Sequence, residues 1–318
     1  MSEWTLSYEG FDPGEEGLRE ALCTVGNGYF ATRGAAPEMD AGDVHYPGTY
    51  VAGLYNRLGT EMGDRVIENE DLVNVPNWLP LQFRHEKEQL WFVTDPVRMD
   101  DYRQELDVRR GVLTRSFVWL GDSGRRTLVT QRRFVSMRNP HVAALETTFL
   151  AENWSGTLEI RSALDGTVVN AGVPRYRQLA GEHLVPLGTE PVGGDGISLT
   201  VETSQSRVEV AVAARTRVIV NGSIEDIPRE TAQAPGWIAQ QMKVELAQGR
   251  PLSVEKMIML VTSRDRAISA PGSHTRKRIG ELDSFQEALE AAGDTLDLAA
   301  LLTQLIDTKS ITRIEVTE

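Results

Sequence analysis

Nine runs of alternating or β-branched residues constrain this chain more than any other feature. LTRSFVWL (113–120), RTLVTQRRFVS (126–136), HVAALETTFL (141–150) and TLEIRSAL (157–164) form a first group. A second group is ISLTVET (197–203), RVEVAVAA (207–214), RVIV (217–220), IAQQMKVELA (238–247) and SVEKMIMLVT (253–262). Turns rich in Gly, Asn and Ser, such as GDSG (121–124) and NWSG (153–156), separate them. Strands at a spacing of about 8–12 residues, with almost no helical period between them, predict a mainly β chain built as a large antiparallel sandwich. At 318 residues the chain is long enough to bury a large core.

The remaining segments read differently. EEGLREALC (15–23) predicts one short helix, and GNGYFATRG (26–34) a tight glycine turn holding Tyr29 and Phe30 in a core. Segment 36–112 is rich in Gly, Pro, Asp and Asn and weakly periodic, so it is expected to pack on the sheets and to carry function or an interface. After Thr262 the strand pattern stops. LDSFQEALEAAG (282–293) and LDLAALLTQLID (296–307) show helical spacing, and ITRIEVTE (311–318) could be a terminal strand. The expected division is a sandwich over 1–265 and a helical linker or tail over 266–318. The apolar faces of the two helices, Leu282, Phe285 and Leu289 among them, need a partner: a second copy or the sandwich itself.

Charge and motifs narrow the function classes. A net charge of −13 argues against nucleic acid and anionic membranes as partners. The amino terminus MSEWTLSYEG lacks the basic and apolar regions of a signal peptide, and no apolar run reaches the ~18–20 residues of a membrane-spanning helix. With one cysteine, Cys23, there is no internal disulfide, and a cytoplasmic location is expected. The five histidines (45, 85, 141, 183, 274) lack ligand spacing, so surface or turn positions and no metal site are expected. Nucleophile-elbow, phosphate-loop and zinc motifs are missing.

One stretch, VIENEDLVNVPNW (66–78), carries the groups that hold sugars: carboxylates, amides and a flat indole. Its turn-forming, acidic composition predicts a loop, with Trp78, Asn77, Asn74 and Glu70 as candidate substrate contacts at a pocket edge. The competing reading is a structural brace with Trp78 plugging the core. Paired acids that could act on a glycosidic bond are Glu68 with Glu70, or Asp100 with Asp101 and Glu105. Neighbours along one segment seldom straddle a bond, so no catalytic residue is assigned.

Six co-linear motifs carry a resemblance. They are REALCTVGNGYFATRGAAPE (19–38), HYPGTYVAGLYNRLG (45–59), ENEDLVNVPNWLPL (68–81), YRQELDVRRGVLTR (102–115), RRFVSMRNPHVAAL (132–145) and ENWSGTLEIRSALDGTVVN (152–170). Together they closely resemble the amino-terminal domain of glycoside hydrolase family 65, over about residues 4–265. The resemblance implies an antiparallel super-β-sandwich of the galactose-mutarotase-like kind, followed by short linker α-helices. It further implies a parent enzyme that phosphorolyses maltose-, trehalose-, kojibiose- or nigerose-type disaccharides with inversion, using inorganic phosphate as co-substrate and no other cofactor. Implied partners are an α-glucosyl disaccharide or glucose, an (α/α)₆ catalytic barrel and a second copy in a homodimer. The family's acid and phosphate ligands belong to that barrel, which this chain does not include, so none maps onto a residue here. The linker departs from the family pattern, because 282–318 holds neither His nor Trp. A free-standing carbohydrate-binding or regulatory module is the alternative.

Overall fold

Eighteen strands and three α-helices occupy the described residues, 4–171 and 179–293, of a computed structural model. In chain order they begin with β1 (Thr5–Glu9), α1 (Glu16–Leu22), β2 (Val25–Gly26), β3 (Phe30–Thr32), β4 (Thr49–Met62) and β5 (Arg65–Val75). Next come β6 (Leu81–His85), β7 (Met99–Asp107), β8 (Val112–Leu120), β9 (Arg126–Val135), β10 (Val142–Ala151) and β11 (Gly156–Asp165). Then follow β12 (Leu184–Val192), β13 (Gly196–Thr203), β14 (Glu209–Val220), β15 (Ser223–Glu225), β16 (Arg229–Ala234), β17 (Trp237–Leu246) and β18 (Pro251–Thr262). Helices α2 (Pro271–Arg278) and α3 (Phe285–Gly293) end the described chain.

The strands form three antiparallel sheets. The largest runs β1-β7-β8-β9-β10-β18-β14-β13-β12, with β15 paired to β14. A four-stranded sheet, β16-β17-β11-β6, lies across it, and a second, β2-β3-β4-β5, completes the inner layer. This is the mainly β, antiparallel sandwich expected from the strand spacing.

Strand β18 shows why its sequence lacks polar alternation. It lies between β10 and β14, so both of its edges are paired, and alternate residues enter two separate core clusters, so both of its faces are covered. Val254, Ile258 and Leu260 join the inner core, while Met257, Met259 and Val261 point to the outer face. On that outer face they meet Ile279, Phe285, Ala288 and Leu289 of the helical segment. Arg215 and Glu255 fasten the segment down. Arg215 donates to the carbonyls of Ile279 (3.3 Å), Gly280 (3.1 Å) and Asp283 (2.9 Å), and Glu255 accepts from the Phe285 N–H. An acid at the first turn of α3 and a cation on the carbonyls before it satisfy groups that helix ends leave unpaired.

Several expectations need adjustment. Residues 65–75 are a strand, not a loop: β5 pairs with β4 from Met62↔Arg65 to Thr49↔Val75. Two-stranded pairing tolerates the acids because its outer half is solvated, so the ladder overrides the local turn preference. Runs 207–214 and 217–220 are the single strand β14, and polar 263–280 contains α2. The 282–293 helix buries its apolar face on the sheet, with Phe285 and Leu289 almost inaccessible. Residues 296–307 and 311–318 lie outside the described residues. The glycine turn stands as read: Gly28 has a φ of 83°, Asn27 Oδ1 accepts from the N–H groups of Tyr29 and Phe30, and Phe30 is buried.

Candidate functional site

Three of the four candidate sugar contacts face inward. Trp78 is fully buried, and its Nε1–H donates to Thr32 Oγ1 at 2.9 Å. Asn77 forms a bridge with Asp165, its N–H donating to the Asp165 carbonyl at 2.7 Å, and its Oδ1 accepts from Leu79 N at 3.0 Å. Asn74 Oδ1 accepts from Thr49 N, and its amide donates to the carbonyls of Pro47 and Val169. The Asn74 N–H donates in turn to Asn170 Oδ1. The expected exposed indole is therefore corrected: Trp78 offers no ring face, because strand pairing on both sides of the Pro76 break pulls it under the sheet. These residues brace the root of the β4–β5 hairpin. Glu70 alone reaches solvent, 3.2 Å from Arg57.

Four of the five paired acids are likewise occupied. Glu68 and Glu70 share Arg57 at 3.6 and 3.2 Å. Asp100 lies 3.3 Å from Arg126 and Glu105 2.5 Å from Arg103, all on exposed strand faces. Asp101 takes a positive φ of 51° at the register shift between Asp100 and Arg103. None of these pairs encloses a cleft in which a sugar ring could lie between two carboxyls, the arrangement glycoside cleavage requires.

A buried polar cluster gathers elsewhere, under α1. Glu20 Oε1 meets His45 Nδ1 at 2.9 Å, and His45 Nε2 meets Thr94 Oγ1 at 2.7 Å. Glu20 Oε2 accepts from Tyr46 N and lies 3.4 Å from Arg33. Among the described residues Glu16, Glu20 and His45 form one group whose ligand atoms come within 4.8 Å of one another. All three are buried, and the Glu20 and His45 atoms are already committed to protein partners. The cluster is closed to a disaccharide and acts as a clamp joining α1, the 39–46 loop and the 92–95 loop. Burial raises the Glu16 pKa, its largest influence, against the pull of nearby Arg115. His85 and His183 are buried too. Histidines without ligand spacing were expected at turns or on the surface; His45, His85 and His183 depart from this because each ring nitrogen that bonds does so to a carboxylate, hydroxyl or amide.

Next to this clamp sit Arg115 and Arg133. Arg115 donates to Glu38 Oε1 at 2.6 Å and to Gln131 Oε1 at 2.8 Å, and stacks on Phe117. Burial disfavours its charge, but Glu38 and Tyr102 outweigh that and raise its pKa. The signal for both arginines was present in the strand alternation. Arg115 falls in phase with Leu113 and Phe117, and Arg133 in phase with Val129 and Val135, all core residues. Charged residues in the apolar phase of a strand mark a buried polar network.

Comparison with known proteins decides the family. The sequence profile of glycosyl hydrolase family 65, N-terminal domain, matches residues 6–297. The chain belongs to this family. It is 44% identical over 284 residues to an uncharacterized glycosyl hydrolase of Mycobacterium tuberculosis, covering 89% of this chain and 21% of that protein. It is 30% identical over 272 residues to the kojibiose phosphorylase of Caldanaerobacter subterraneus, covering 83% of this chain and 33% of the relative. The trehalose 6-phosphate phosphorylase of Lactococcus lactis is 28% identical over 264 residues, covering 82% and 32%. A solved human-microbiome protein named for kojibiose phosphorylase superposes with a TM-score of 0.78 at 18% identity, covering 92% of this chain and 37% of that one. The family 65 chain thus spans a fifth to a third of the length of these curated relatives. No helix among its described residues is long and apolar enough to cross a membrane.

Proposed function

We propose that this chain serves as the non-catalytic N-terminal domain of a cytoplasmic α-glucosyl disaccharide phosphorylase in carbohydrate metabolism. Its partner is a catalytic barrel, inorganic phosphate is the co-substrate of the complete enzyme, and no other cofactor is needed. The sandwich, 1–265 with its 266–318 linker, shapes the mouth of the sugar pocket and takes part in a homodimer. The observation that carries this reading is the family 65 match over residues 6–297, joined to the candidate acids Glu68, Glu70, Asp100 and Glu105, each of which is held by an arginine. Cleavage needs an acid and a nucleophile on opposite faces of one bond. Within this reading Glu70, the solvent-facing member of the candidate set, is the one that can touch a hydroxyl. Trp78, Asn77 and Asn74 support its strand.

The test is direct. Purified chain is incubated with maltose, trehalose, kojibiose and nigerose, with and without phosphate, and glucose and glucose 1-phosphate are measured. No turnover above background is expected. Turnover that survives stringent repurification would place a catalytic site in the sandwich. If the same protein bound these sugars with an affinity lost in Glu70→Gln, the free-standing carbohydrate-binding reading would gain over the pocket-mouth one.

A further inference from the structure

Gln104, Arg115, Gln131 and Arg133, with Leu113 and Leu145, line a small cavity inside the sandwich, beneath Gly34 and Ala35. Each of these six side chains is almost wholly buried. The room inside is about 10 Å³, that of one water-sized sphere. The Nε atoms of both arginines are buried without a hydrogen-bond partner. Among the described residues, those two N–H groups belong to the only cations that line the cavity.

Charge matching around the cavity is uneven. Glu38 is neutralised by Arg115 at 2.6 Å and also accepts from Gln131 at 3.2 Å. Glu20 is matched by Arg33 and His45. Arg133 donates to the Ala35 carbonyl at 2.6 Å; Glu20 and Glu38 favour its charge from farther off, but among the described residues no carboxylate lies at ion-pair distance from it. Burial pushes its pKa down to about 10, which still leaves it charged at neutral pH. A buried cation with no counter-ion in direct contact is unfavourable, and a retained one calls for a closer partner. A water molecule would satisfy the free N–H groups but leaves Arg133 with no counter-ion in direct contact. A monatomic anion satisfies both.

We infer that this cavity is a binding site for a halide-sized monovalent anion, held by Arg133 and the Nε–H of Arg115. The Gln104 amide, bound only loosely to the Gly34 carbonyl at 3.4 Å, supplies a third donor. The apolar walls from Leu113 and Leu145 suit a weakly hydrated ion. Phosphate and carboxylate ligands are too large for the space. Its role is to complete the buried charge network that joins α1 and the 34–38 segment to β8 and β9. This inference is independent of the proposed enzyme role.

The experiment measures melting of the full chain in sodium chloride, bromide, gluconate and phosphate at equal ionic strength, and collects anomalous diffraction from crystals grown in bromide. Chloride and bromide should raise the melting temperature over gluconate by roughly 2–6 °C and saturate, as ligand linkage requires. Phosphate should give no such shift. A bromide peak should lie beside the two Nε atoms. Arg133→Met should abolish the halide-specific part of the shift. If that variant does not fold, Gln104→Leu keeps both arginines and should reduce the shift. Equal melting in chloride and gluconate overturns the inference, with or without a bromide peak, since a peak alone is binding at crystal concentration only. Water density in the cavity with no anomalous signal overturns it as well.

Discussion

On its inner face the large sheet buries Val210, Val212, Ile258 and Leu260 against other strands; on its outer face Ala211, Ala213, Met257 and Met259 lie beneath the helical segment. The inner cover is knitted by continuous ladders, such as the ten pairs from Gly156↔Leu246 to Asp165↔Trp237 that join β11 to β17. The outer cover is a short stretch of chain held by apolar contacts and by Arg215 and Glu255. Inner positions are also interrupted by charge: Lys256, Arg115 and Arg133. The two faces therefore differ in what secures them. The inner face is secured by hydrogen-bonded strand ladders, and the outer face by a short helical lid.

Removing the lid should have the largest effect on the two faces. A chain ending at residue 265 should keep a β-type circular dichroism spectrum, bind hydrophobic dye at the uncovered methionine face and melt at least about 10 °C lower, given the apolar area exposed. Melting unchanged from that of the full chain would mean the helices add nothing to the fold. Next in size is Phe285→Ala, which removes the ring packed against Phe134. Urea unfolding should show a loss of about 3–5 kcal/mol, as for other buried aromatic truncations.

On the inner face, Lys256 gives a pH signature. Its Nζ donates to the carbonyls of Pro80 (2.9 Å) and Ala163 (2.7 Å), and burial drives its pKa well below the usual lysine value. A neutral amine still has the two N–H donors these bonds use. The folded pKa is depressed, so the unfolded chain holds more protons between that value and about 10.4, and stability rises with pH across this window. Lys256→Met should lose that component. Stability of the native protein relative to this variant should climb with pH, by up to about 1.4 kcal/mol per unit. Parallel pH profiles for the two would remove the buried amine from the account.

Smaller effects sharpen the contrast between the root and the outer half of the β4–β5 hairpin. Trp78→Phe loses the bond to Thr32 and should destabilise by about 1–3 kcal/mol in denaturant titration. Glu70→Ala, at the solvated end, should shift stability by no more than about 0.5 kcal/mol. A Glu70 effect as large as that of Trp78 would show the outer half to be part of the core.

Strand spacing and period-2 alternation were enough to place β8 through β11, β13, β14, β17 and β18, because burial of one face leaves a direct trace in the order of residues. The same alternation carried the two buried arginines, which sit where an apolar residue is due. The family motifs were legible as well. Four features were not: the strand character of 65–75, the inward turn of Trp78, the fit of α3 onto the large sheet, and the meeting of Glu20 with His45. The last three depend on partners distant along the chain, and the first on a hairpin neighbour joined across Gly63 and Asp64. β5 is a strand because β4 offers it a ladder, and acids and asparagines that favour turns in isolation accept that pairing when half the hairpin stays in water. Trp78 is buried because Thr32 and the sheets close over it. Local order records which faces are apolar. Which surface covers each face is decided only when the sheets stack, since that choice rests on contacts between segments whose spacing in sequence carries no periodic signal.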